Sequence, residues 1–167
     1  MANLNNVVFV YRLEANGLGK ALVVYHTVYG NTEKVARALA KGLEESGVDV
    51  NCVPIDAVEF DKLSGYDLLV VGGPTQNLGA SKPMQEFLER LKNVAGLSGK
   101  KAFALDTRYK SRFSGSAGAK IEGKMKDLGM TIVKPHASAF VKGKEGPLEE
   151  GSEPTFKQLG TELAKMM

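Results

Sequence analysis

Short apolar runs alternate with stretches whose apolar residues recur at helical spacing, and the alternation repeats through five rounds. Residues 21–25 are five apolar or aromatic residues in a row, and residues 66–71 are continuously apolar apart from Asp67. Such runs mark strands covered on both faces. Residues 48–55 alternate instead, with Val48, Val50 and Cys52 set against Asp49 and Asn51, which suits a sheet edge with one wetter face. Residues 102–105 form a fourth run, and 131–133 with 139–141 form a last one, interrupted by Pro135 and so placed at an edge. Between them, Val35, Ala36, Leu39, Ala40 and Leu43 space a helix over 33–46, which Gly47 ends. Ser81 and Pro83 open a second helix, with Met84, Phe87, Leu88 and Leu91 as its buried stripe. Ala117, Ile121, Met125 and Leu128 space a third over 116–128, ended by Gly129. Ser152 and Pro154 start a closing helix with Phe156, Leu159, Gly160 and Leu163 on one face. The pattern predicts a parallel sheet with helices on both faces, joined by right-handed crossovers.

A chain of 167 residues suffices for one well-buried domain and is short for two. Its 43% apolar and 25% charged residues are a globular balance, not a disordered one. The net charge of +3 is spread over nearly every helix as scattered lysines, so no nucleic-acid role is expected. The single cysteine, Cys52, rules out an intrachain disulfide or a cysteine metal cluster and fits a reducing cytoplasm. No apolar run approaches the length needed for membrane insertion, and the N-terminus lacks the features of a secretory signal. Residues 1–19 stand apart from residues 20–167. They read as an added edge strand, an arm packing on a partner subunit, or a leader.

In open parallel sheets ligands sit beyond the C-terminal strand ends, where strand order reverses. Three loops fall there. The first holds His26, Thr27, Val28, Tyr29, Gly30, Asn31 and Thr32, between a strand and a helix N-terminus. Its backbone N–H groups lack intrahelical partners and the helix dipole favours an anion. Gly30 permits positive φ, the hydroxyls and the amide add donors, and no acidic residue lies within the loop. Read alone it also fits an ordinary turn capped by Asn31 or Thr32. The second loop spans 72–80 and offers Pro74, Thr75, Gln76, Asn77, Leu78 and Gly79. The third spans 106–115. Asp106 and Thr107 stand there where a ligand approaches, although Asp106 also suits an Asx turn. His26 and His136 read as surface and structural histidines, and Cys52 as a small core hydrophobe. No hydrolytic triad, paired carboxylates or metal-ligand spacing is present, so no catalytic or metal residues are assigned.

The run Thr27-Val28-Tyr29-Gly30-Asn31-Thr32-Glu33 resembles the hydroxyl-rich phosphate loop of short-chain flavodoxins. Gly73-Pro74-Thr75 is similar to that family's second flavin loop, and Phe113-Ser114-Gly115 to the end of its third. The resemblance runs from about Lys20 onward. It implies a flavodoxin-like three-layer sandwich, a five-stranded parallel sheet in order 2-1-3-4-5, and noncovalently bound FMN. It makes Thr27, Gly30, Asn31 and Thr32 phosphate contacts. The chain has no tryptophan to stack on a flavin; Asn77 or Leu78 occupies that neighbourhood, and Tyr109 is the stacking candidate in the third loop. Family carriers are typically acidic, whereas here Arg108, Lys110 and Arg112 crowd the third loop. Those charges read either as a cationic rim beside the flavin or as a solvated loop.

The leading expectation is an FMN-binding redox protein carrying electrons between protein partners. The alternatives are an NAD(P)H-dependent FMN enzyme reducing quinones or similar acceptors, its basic third loop gripping the dinucleotide, and a flavin-free flavodoxin-like binding module.

Overall fold

The computed structural model describes residues 19–167. The expectations for residues 1–18 therefore lie outside the described residues. In chain order the elements are β1 (Lys20–Tyr25), α1 (Asn31–Glu45), β2 (Asp49–Pro54), β3 (Leu68–Gln76), β4 (Gly79–Ala80), α2 (Lys82–Leu91), β5 (Lys101–Tyr109), α3 (Ala117–Asp127), β6 (Thr131–Ile132), β7 (Ala137–Val141) and α4 (Ser152–Ala164). Two short 3₁₀ turns, Ile55–Ala57 and Phe60–Gly65, link β2 to β3.

The sheet runs β2-β1-β3-β5-β6, with β7 also beside β5 and β4 folded back on β3. All pairings but β3–β4 are parallel. The five expected strands thus appear in the expected order, and the count rises to seven for two local reasons. The third strand does not stop at Val71. It continues to Gln76 and turns through Asn77 and Leu78 into β4, both turn residues having positive φ (48° and 67°), as a two-residue hairpin requires. The last strand is two pieces, β6 beside Lys101–Ala102 and β7 beside Leu105–Tyr109. The break falls where Pro135 supplies no donor. The fourth strand also outruns its expected end. Gly73 and Pro74 on one side and β7 on the other pair with Asp106 and beyond, so Asp106 to Tyr109 are strand rather than loop.

Two cores sandwich the sheet. Ala21, Val23, Val70 and Phe103 face α1 and α4, while Leu22, Val24, Leu69 and Ala104 face α2 and α3. This is the alternation of side chains along a strand written on both faces. Cys52 is only half-buried, packed against the first core at the edge strand. Burial pushes its thiol up to about 11, so it behaves as a hydrophobe and not as a thiolate.

Helices α1 and α4 approach backbone to backbone through two glycines. A Cβ on Gly42 would lie 2.0 Å from the Lys157 carbonyl oxygen, and one on Gly160 would lie 2.1 Å from that of Leu39. Neither contact has a flexible side chain that could yield. We therefore expect Gly160→Ala to lower stability by about 1–3 kcal/mol, despite alanine's better helix propensity. A urea melt checks this; an unchanged or higher midpoint would mean that the helices part without cost.

Candidate functional site

The C-terminal ends of β1, β3 and β5 open into one cavity of about 390 Å³. Its lining combines Thr27, Val28, Tyr29, Asn31 and Thr32 with Pro74, Thr75, Gln76 and Asn77, then Thr107, Arg108, Tyr109, Val141 and Lys144. The three sequence loops therefore converge, and no lining residue is acidic.

The first wall is the N-terminus of α1. Gly30 sits at its cap with φ 87°, a left-handed conformation that costs glycine little, and donates its N–H to Thr27 Oγ1 at 3.0 Å. Neither Asn31 nor Thr32 is the cap. The N–H groups of Asn31, Thr32 and Glu33 meet no acceptor among the described residues, so the positive end of the helix is bare. The acid nearest to it, Glu33, is engaged elsewhere. Arg37 Nε donates to its Oε1 at 2.9 Å and the Tyr25 hydroxyl at 3.0 Å, and these bonds hold the Glu33 carboxyl below its usual range. Thr32, almost fully buried, shares a 2.8 Å hydrogen bond with Thr107 across the cavity floor.

The second and third walls are held by Asp106, which is fully buried and does not line the cavity. Its Oδ2 accepts from Thr75 Oγ1 at 3.1 Å, Ser116 Oγ at 2.6 Å and the Gly118 N–H at 2.9 Å, while Oδ1 has no partner. The Thr75 hydroxyl also accepts from the Ala117 N–H at 2.9 Å. Asp106 is thus neither exposed to an approaching ligand nor an Asx turn, because β5 carries it inside the sheet. Thr75's hydroxyl donates to protein and not to the cavity.

Arg108 likewise turns back on its own loop. Its guanidinium donates to Ser138 Oγ, Ser114 Oγ and the Gly115 carbonyl at 3.0–3.2 Å and lies over the Phe140 ring. Lys110 pairs with Glu149 at 3.6 Å, and Arg112 stacks on Phe113. The cationic rim read from the third loop is therefore mostly tied up in holding that loop. Gly115 packs against the hairpin tip, where a Cβ would lie 2.2 Å from the Leu78 carbonyl oxygen.

Of the remaining expected residues, His26, Gly30, Leu78, Gly79, Phe113 and Gly115 lie outside the cavity's lining. Val28, Tyr29, Leu78, Tyr109 and Phe113 are 45–73% exposed, and they are five of the six large apolar side chains left to solvent among the described residues. Val28, Tyr29 and Tyr109 line the cavity, which makes its mouth one of the apolar parts of the surface. Sequence reasoning missed Val141 and Lys144. Val141 ends β7 and is set beside Tyr109 by the sheet, while Lys144 lies in the turn that follows, where Asn31 Nδ2 donates to the Glu145 carbonyl at 3.1 Å, a contact spanning 114 residues. No local signal marks such a pairing.

This is a doubly wound α/β domain whose cavity lies at the switch point between β1 and β3, where such folds bind ligands, and opens on a bare helix N-terminus. The family model described as Flavodoxin matches residues 23–158, so the chain belongs to the flavodoxin family. A probable flavodoxin 2 of Bacillus subtilis is 31% identical over 156 residues, 89% of this chain and 96% of that protein. A flavodoxin of Clostridium beijerinckii is 46% identical over 50 residues, 30% of this chain and 36% of that protein. The match spans 18–49% of the length of several further curated relatives. A solved flavodoxin from the domain Archaea superposes with a TM-score of 0.75 at 29% identity, covering 87% of this chain and 96% of that one. Membership assigns FMN as the cofactor.

His26 provides a pH test of this geography. Its backbone N–H donates to the Gly72 carbonyl, and burial lowers the ring's pKa below 6.5. The folded state thus binds its proton less readily than the unfolded state. The stability this contributes is present above pH 6.5 and is lost as pH falls through the folded pKa. His26→Gln should flatten the urea midpoint against pH between about 5 and 7; an unaltered slope would assign the effect to other groups.

Proposed function

We propose that residues 20–167 form an FMN-binding domain that carries electrons between redox partner proteins. The observation that carries this reading is the bare N-terminus of α1 facing a cavity with no acidic lining. A dianionic phosphate needs such a place, where unsatisfied N–H donors and the helix dipole act together. Thr27, Asn31, Thr32 and the adjoining backbone would hold the phosphate. Gln76 and Asn77 would offer amides to the ring edge, and Tyr29 and Tyr109 would cover its faces. Bound FMN supplies a redox centre that takes up and releases one or two electrons.

The apolar mouth formed by Val28, Tyr29 and Tyr109 supports docking of a partner protein against the flavin. Dinucleotide capture by the third loop has less support, since Arg108 and Lys110 already have protein partners. Cys52, the single cysteine, is a free thiol and supports a reducing compartment, the cytoplasm. No helix among the described residues is long and apolar enough to cross a membrane.

Flavin-stripped protein titrated into FMN should quench its fluorescence with a one-to-one endpoint; no quenching would leave the fold intact and remove the redox role. Thr32→Val should weaken FMN by about 1–3 kcal/mol, because it deletes a hydroxyl on the cavity floor and strands that of Thr107. Unchanged affinity would take Thr32 out of the phosphate site. Tyr109→Ala should move both FMN affinity and the midpoint potentials; neither would change if the ring only meets solvent.

A further inference from the structure

A second cavity, of about 700 Å³, lies behind the hairpin joining β3 and β4. It is walled by residues 76–82 of the hairpin and the start of α2, by Gln85, Leu88 and Glu89 of α2, and by Lys120 and Lys124 of α3. Gln76 and Asn77 line both cavities, so the hairpin is a common partition between them.

The electrostatics of this second cavity are one-sided. Its only carboxylate, Glu89, is met by Lys124 at 2.8 Å and Lys92 at 2.6 Å, and these bonds hold it down at about 2. Lys82 and Lys120 meet no carboxylate among the described residues. The Lys120 stem lies along the hairpin, with its Cγ 3.6 Å and its Cε 3.9 Å from where a Cβ on Gly79 would stand. The hairpin is itself held in place. Asn77 and Leu78 both occupy left-handed backbone that non-glycine residues seldom adopt, and Gly115 buttresses the tip from the far side.

We propose that this cavity is a second binding site, for a phosphate-bearing nucleotide, set back to back with the FMN site. Lys82 and Lys120 supply the uncompensated positive charge that a phosphate requires. Gln85 supplies a polar contact for a base or sugar, and Leu88 and Ala80 the apolar contact. Gln85 donates its amide N–H to the Ala80 carbonyl at 2.7 Å, which leaves its side-chain oxygen to accept. The size of the cavity suits a nucleotide rather than a lone anion. Because the partition is shared, occupation of one side biases the other, and by linkage the effect is reciprocal.

The test uses FMN-saturated protein dialysed against NADP+ at low ionic strength, with inorganic pyrophosphate as competitor. The site predicts saturable one-to-one NADP+ binding, displaced by pyrophosphate and weakened tenfold or more by Lys82→Glu with Lys120→Glu. FMN affinity of the free double variant should stay within twofold of the parent. Both lysines are exposed and lie in the first turns of their helices, where a carboxylate is tolerated, and Lys82→Gln with Lys120→Gln gives a milder pair. Absence of saturable binding up to about 5 mM NADP+, binding indifferent to both variant pairs, or binding that pyrophosphate leaves untouched would each overturn the proposal. The FMN titration is run separately on the same preparation, so failure of the cofactor reading is distinguishable from failure of this one.

Discussion

A carboxylate sealed from water is the joint on which the ligand face depends. Burying the Asp106 side chain is costly unless donors replace its hydration, and three of them converge on a single oxygen. One comes from β3, through Thr75, and two from the first turn of α3, through Ser116 and Gly118. These are charge-assisted bonds at the positive end of a helix, the strongest sort available there. They fix where the second loop stands relative to the third, and so the breadth of the cavity between them. The other oxygen has no partner at all. The arrangement is therefore polarised toward loop placement rather than toward satisfying the acid.

The cavity itself is built on a division of labour between donors. Thr75 and Arg108 look like ligand groups by type and position, yet both are consumed in bracing the walls. What remains free to meet a ligand is backbone N–H at the start of α1, the Thr27 O–H, the one O–H that the Thr32–Thr107 bond leaves unused, the Gln76 and Asn77 amides and Lys144. Glu33, which stands in the first turn where it could repel a phosphate, is drawn off by Arg37 and Tyr25. Neutralising that one acid matters more locally than the net charge of the whole chain, since exposed charges further off are screened.

Much of this was legible in the sequence because it follows from local pattern. Continuous apolar runs and 3.6-residue spacing located every helix and the core strands, the strand order came from the resemblance carried by the three loops, and the glycine-containing turn after β1 located the first wall. Element ends were less legible. The strands β3 and β5 continue past their apolar cores because each has a neighbour to bond to, and Thr75, Asp106 and Thr107 carry no periodic signal of that pairing. The roles of Asp106 and Arg108 were hidden for the same reason, since a buried brace and an exposed ligand have the same letter in a sequence. Val141 and Lys144 were missed outright: the first reaches the cavity by pairing beside Tyr109 in the sheet, and the second sits in a turn held by a contact between Asn31 and Glu145 that nothing nearby announces.

That contact belongs to a wider arrangement with a consequence for how the molecule comes together. The first helix rests on α4, by way of Gly42 and Gly160, and the first loop is roofed by residues 141–145. The earliest-synthesised parts of the domain thus find their partners among the latest. Closing so long a stretch of chain costs entropy before any contact compensates it, which slows folding. A ribosome would have to release nearly all of residues 20–164 before the apolar face of α1 is covered. Until then that face is open to solvent, and the loop between β1 and α1 lacks its roof.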